Sequence, residues 1–186
     1  MTRALVPIAE GTEEMEAVIA VDVMRRAKWD VTVAGLKPGP LTMSRKVRIV
    51  PDAVWADVDP ASFDVLVIPG GAGGVANLRK DERVLQAVRE MHAAGKLVCA
   101  VCAGPLVLQD AGILNGRKAT CHPDVVSQLT KATQVDEEVV ADGNVITSQG
   151  AGTTFAFALS IVARVEGREK ADSVGRGMVW KMRSGA

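Results

Sequence analysis

Apolar and polar positions along this chain switch repeatedly between two periods. Short aliphatic runs alternate with longer segments whose apolar residues recur at helical spacing. Ala4 to Ile8 is the first run. Thr12 then reads as an N-cap, and Glu13 to Ala27 has helical composition with acids in its first turn. Val31 to Ala34 is a second strand, and Val47 to Val50 a shorter one suited to a sheet edge. Asp64 to Ile68 is strongly apolar and ends in Pro69-Gly70-Gly71. A helix over Asp81 to Ala94 follows, then a strand over Lys96 to Val101, then a helix to Asp110 stopped at Gly112. Val139 to Ser148 places Ala-Asp-Gly-Asn between β-branched runs, which predicts a hairpin. Thr153 to Val165 and Ala171 to Trp180 are the closing helices.

Strands and helices in this order predict an α/β fold. The expected core is a doubly wound, mostly parallel sheet of flavodoxin-like or Rossmann-like type, with helices on both faces. The length, 186 residues, suits a single domain over 1–186. Crossover connections bring loops to one sheet edge, so those after Ile8, Ile68 and Val101 should converge there.

Composition narrows the function. Lysine plus arginine balance aspartate plus glutamate at 22 each, so no basic field points to nucleic acid. Aromatic residues are only 3%, which argues against a stacking platform and for an aliphatic core. No apolar run is long enough to span a membrane, and the N-terminus has no signal-peptide pattern. The three cysteines suit neither a disulfide framework nor a zinc site, so a reduced, cytoplasmic protein is expected.

Cys102 is the strongest chemical signal. It lies where the strand before it meets a helix start at Ala103-Gly104-Pro105, with Ala100 and Gly104 as its small neighbours. That is the pattern of a nucleophile elbow, with sulfur at a helix N-terminus, a place that favours thiolate. Unpaired N–H groups there can hold an oxyanion. Cys99, inside the aliphatic run, reads as core, and Cys121 as packing.

Glu16 falls in a helical row with Ile19, Ala20, Val23 and Ala27. A carboxylate heading an apolar stripe is desolvated, its pKa rises, and it can pass protons. A solvent-exposed first-turn glutamate fits the same spacing, as it does for Glu13 and Glu14. Gly70 and Gly71 let backbone approach a ligand. The run Gly70 to Gly74 lacks the ending of a phosphate loop, so an oxyanion-binding turn or a plain tight turn is the better reading. His92 sits near a helix C-terminus, where positive charge is favourable. His122 would serve Cys102 only if folding brings them together. Arg25, Arg26 and Arg45 could bind an anionic group or complement a dimer surface.

Taken in order, these segments resemble the ThiJ/PfpI superfamily, in particular the branch of the parkinsonism-associated deglycase (DJ-one) and its bacterial relatives. The ordered set runs from Glu13-Glu14-Met15-Glu16 through Val21 to Ala27, Ser44-Arg45, Pro69-Gly70-Gly71 and Cys102-Ala103-Gly104-Pro105. It ends with His122-Pro123, Thr147 to Gly150 and Gly152-Thr153. The resemblance implies a flavodoxin-like three-layer sandwich and a homodimer with the first helix at the contact. It implies Cys102 as nucleophile and redox-sensitive thiol, Glu16 protonated and hydrogen-bonded to it, and the amides of Gly71 and Ala103 as oxyanion site. His122 takes a lesser role. Gly70, Arg45 and Arg26 would complete a site for small α-oxoaldehydes or glycated side chains, with no cofactor. A redox sensor or holding chaperone is the alternative, and an intracellular cysteine peptidase ranks last. Met43 and Val50 replace two further cysteines of the branch's best-known member, Gln149 an arginine, Ala151 a proline and Cys121 a threonine. Redox behaviour should therefore centre on Cys102.

Overall fold

The computed structural model describes residues 1–180. Its centre is a seven-stranded sheet. The strands are β1 (Arg3–Ile8), β2 (Asp30–Gly35), β5 (Ala53–Val54), β6 (Val65–Ile68), β7 (Leu97–Val101), β10 (Val139–Asp142) and β11 (Val145–Ser148). Two ribbons lie outside it: β3 (Leu41–Thr42) with β4 (Arg48–Ile49), and β8 (Lys118–Ala119) with β9 (Thr133–Gln134). The order across the sheet is β10-β11-β7-β6-β1-β2-β5, and every neighbouring pair except β10–β11 is parallel.

Side chains alternate across each strand, and the two faces fill two cores. Ala4, Val6 and Ile8 pack with α1 (Glu14–Arg26), α5 (Thr154–Glu166) and α6 (Arg168–Gly177). Leu5 faces the other core, built from α2 (Ala72–Leu78), α3 (Glu82–Ala93) and α4 (Pro105–Asp110). The result is the expected three-layer α/β sandwich with a mostly parallel sheet. Because β1 lies between β2 and β6, the chain leaves it in one direction and returns on the other side. The C-terminal ends of β1, β6 and β7 therefore share one edge.

Several elements differ from expectation. The N-cap of α1 is Glu13, whose carboxylate accepts from the Glu16 N–H at 2.9 Å. Thr12 instead turns inward, and its Oγ1 accepts from the buried N–H of Ala9 at 2.9 Å. Val47 to Val50 is not a sheet edge, because β4 pairs only with β3, and the edge strand is β5. The glycine-rich run after Gly71 is the helix α2, unforeseen because glycine is a poor helix former. His92 is not favoured as a cation by its surroundings. Burial and the Arg117 guanidinium, 3.3 Å away, push its pKa down.

Candidate active site

Three loops at the shared sheet edge build the site. β7 ends at Val101, and the chain turns through Cys102 with φ +63° before α4 begins at Pro105. A non-glycine residue in this region stores on the order of 1–3 kcal/mol, held only where the surroundings over-determine it. Here they do. The Cys102 N–H donates to the Ser148 carbonyl, and its own carbonyl accepts from His122 N–H, each at 3.0 Å. A Cβ at Gly104 would stand 2.6 Å from the Ile68 carbonyl oxygen, which is why the elbow needs a small residue there.

Glu16, in the first turn of α1, is 1% exposed. One carboxyl oxygen accepts from the Gly70 N–H at 2.7 Å, and the carboxyl is hydrogen-bonded to the Cys102 thiol. The packing is tight enough that a Cβ on Gly70 would meet Cys102 Cβ and Glu16 Oε2 at 2.6 Å each. Burial pushes the Glu16 carboxyl up to about 7, and the Glu13 charge adds to it, against the Gly70 N–H and the thiol.

The thiol departs from the expected depression. Burial pushes Cys102 up to about 12, and the charge and hydrogen bond of Glu16 add to this. The N–H groups of Gly71 and Ala103 act in the opposite direction, toward thiolate. The sulfur is only partly exposed, and α4 is six residues long, too short to outweigh desolvation. The carboxyl therefore gives up its proton before the thiol does, and above about pH 7 the pair is a thiol beside a carboxylate.

An open cavity of about 790 Å³ meets Cys102, and Glu16 lies buried outside its lining. Gly71, Ala103, Cys102, His122 and Arg45 line it together. Gly70 lies just behind, against the sulfur. Arg26 is not brought to the cavity. It stands at the far end of α1, ion-paired to Asp22 at 2.6 Å. Arg25 pairs with Asp52. Cys99 is fully buried and Cys121 nearly so, and burial raises both thiols. Among the described residues, no cluster of His, Cys, Asp and Glu is arranged to hold a metal ion.

His122 reaches the site but is turned from a base's role. Its Nδ1 accepts from the Asp124 N–H at 3.2 Å and caps a short helical turn. With that lone pair engaged, the neutral ring carries its proton on Nε2 and has no free acceptor there. Asp124 is the acid closest to Nδ1, at 3.6 Å, beyond hydrogen-bond reach and largely exposed.

Glu14 was missed. Expected in solvent, it is buried, and its carboxylate binds the segment Ser44–Val47. Its spacing carries no such signal, because the partners lie some thirty residues away.

A profile of the DJ-1/PfpI family matches residues 2–164. The chain belongs to the DJ-1/PfpI family. Protein dj-1beta of Drosophila melanogaster is 43% identical over 179 residues, covering 95% of this chain and 96% of that protein. The crystal structure of that DJ-1beta superposes with a TM-score of 0.94 at 42% identity, over 97% of this chain and 99% of the other. A Caenorhabditis elegans relative named glutathione-independent glyoxalase DJR-1.2 is 38% identical over 167 residues, 89% of each chain. Against Protein DJ-1 homolog B of Arabidopsis thaliana, 43% identical over 168 residues, this chain spans 38% of the relative's length. Within this DJ-1/PfpI fold the Glu16–Cys102 pair occupies the edge where β1, β6 and β7 end.

Proposed function

We propose that the protein is a cysteine enzyme acting on α-oxoaldehydes without a cofactor. The observation that carries this reading is the buried Glu16 carboxyl, hydrogen-bonded to Cys102 at the floor of an open cavity. Sulfur adds to the aldehyde carbon of methylglyoxal, and the thiol proton ends on the new oxygen, giving a hemithioacetal. Glu16, in its carboxylate form, takes the proton from that carbon and returns one to the neighbouring carbon. The carbon skeleton is then a 2-hydroxy thioester, and water releases lactate and the thiol. A carboxyl whose pKa lies near 7 suits both halves of that transfer. The amides of Gly71 and Ala103, aimed at the sulfur, are placed to steady negative charge on the adjacent oxygen. The name of the nematode relative supports the same chemistry. The cavity is far larger than methylglyoxal, so glyoxal adducts on protein side chains belong to the same substrate class.

Lactate formation from methylglyoxal without glutathione tests this. Native protein should turn over, and Cys102→Ala and Glu16→Gln should each lose at least about a hundredfold. Full activity in Cys102→Ala would end the proposal.

A second reading, a redox sensor, draws on exposure. Cys102 is the one partly exposed cysteine, while Cys99 and Cys121 are buried. Oxygen atoms added by mild peroxide would then fall on Cys102 alone. The engagement of His122 Nδ1 by the Asp124 N–H argues against the peptidase reading. We further infer a homodimer through α1, since Met15 and Val18 are each 54% exposed on its outer side. The free cysteines support a reducing, cytoplasmic setting. No described helix is long and apolar enough to cross a membrane.

A further inference from the structure

Glu14 holds an unusual position for a charged side chain that no step above uses. It is 6% exposed, and its partners are backbone and hydroxyl donors of one turn. Its carboxylate accepts from Ser44 Oγ at 2.9 Å, from Arg45 N–H at 2.9 and 3.0 Å, and from Val47 N–H at 3.4 Å. The main chain adds the Ser44 N–H to the Thr12 carbonyl at 2.9 Å and closes the turn with Met43 N–H to the Val47 carbonyl at 2.8 Å. Within the turn Lys46 has φ +74°, a conformation a lysine adopts only when its surroundings impose it.

The turn is a wall of the Cys102 cavity. Ser44, Arg45 and Lys46 line it, while Glu14 lies behind them. Arg45 and Lys46 are exposed, and neither is in an ion pair among the described residues. We propose that Glu14 is a positioning residue: it fixes the Ser44–Val47 turn against the first turn of α1 and so sets how Arg45 faces Cys102. Burial alone would push the Glu14 carboxyl up. The hydrogen bonds from Arg45, Ser44 and Val47 outweigh it and hold the pKa below its ordinary value, so the group stays ionised and the turn stays anchored. The helix that carries Glu16 to the sulfur thus also carries the anchor of the opposite wall. The consequence for turnover rests on the α-oxoaldehyde reading, but the anchor itself does not.

The test compares native protein with Glu14→Gln, Ser44→Ala and Arg45→Gln. Two readouts need no turnover. One is amide hydrogen exchange over Ser44–Val47. The other is the ratio of Cys102 alkylation rates with anionic iodoacetate and neutral iodoacetamide, which senses a nearby cation and is insensitive to general loosening. Glu14→Gln should speed exchange at Arg45 and Val47 by about tenfold or more. It should lower the alkylation ratio about threefold, and Arg45→Gln should do the same. Ser44→Ala should move both readouts the same way by less, and it decides the question if Glu14→Gln does not fold. With methylglyoxal, Glu14→Gln should raise KM about three- to tenfold while kcat stays within about twofold. Unchanged exchange and an unchanged ratio in Glu14→Gln and Ser44→Ala would overturn the proposal. So would an unchanged ratio in Arg45→Gln. A native protein inert to methylglyoxal would defeat the enzyme reading, while exchange and alkylation would still decide the role of Glu14.

Discussion

A carboxyl and a thiol packed against each other beneath an open cavity tie the protein's stability to pH. Glu16 has an ordinary pKa of 4.5 and is pushed up to about 7 in the fold. Between those values the folded chain keeps a proton that the unfolded chain has lost. The stabilisation is therefore complete below pH 4.5 and is lost as pH rises through 7. At about 1.4 kcal/mol for each pH unit, the change amounts to about 3 kcal/mol. Glu16→Gln removes this titration and little else in volume. Native stability minus that of the variant, from urea unfolding, should fall by about this amount from pH 4.5 to pH 8. Cys102 adds little in that window, because its ordinary pKa of 9.0 already lies above pH 8 and burial pushes it higher in the fold. A difference that stays flat with pH would show that Glu16 ionises as freely in the folded chain as in the unfolded one.

Among the elements, what was legible is what short-range sequence determines. The aliphatic runs of β1, β6 and β7 announce buried parallel strands, and Asp142-Gly143-Asn144 closes a hairpin because Gly143 supplies φ +62°. Cys102 and Gly71 were readable for the same reason. A strand, a tight turn and a helix start are neighbours in sequence, so the site loops could be placed before the fold was known. What failed depends on distant partners. Thr12 reads as a cap, yet its hydroxyl is taken by Ala9 as the loop folds back. The helix α2 carries Gly73 and Gly74 because it lies on the Gly11–Thr12 backbone. A Cβ at Gly74 would sit 2.4 Å from Thr12 Oγ1. Close approach outweighs helix propensity there, and composition does not show it. Glu14 looked like a solvated helix acid because the turn that buries it returns from the next ribbon. Arg26 shares the helix of Glu16 but stands ten residues further along, about 15 Å at 1.5 Å per residue, which removes it from the cavity.

Across the whole molecule, α1 presents two different sides. Its inner side buries Ala17, Ala20, Val23 and Met24 in the core and delivers Glu16 to the sulfur. Its outer side leaves Met15 and Val18 half exposed, and Val50 beside it is 70% exposed. Val18, Val21, Ile49 and Val50 line one shallow cavity there, with Arg25 and Asp52 at its margin. An apolar patch with a charged rim has the composition of an interface. A helix at the centre of such a patch favours a two-fold contact, in which each copy buries the other's α1. Sedimentation at micromolar concentration should give twice the chain mass for native protein. Met15→Glu with Val18→Glu would force four carboxylates into the shared contact, so this variant should sediment as a monomer with its far-ultraviolet circular dichroism unchanged. A native chain that sediments as a monomer would refute the contact. If the double variant loses turnover as well as its partner, the outer side of α1 is what keeps Glu16 seated against Cys102. If it turns over normally, each copy holds its own pair unaided.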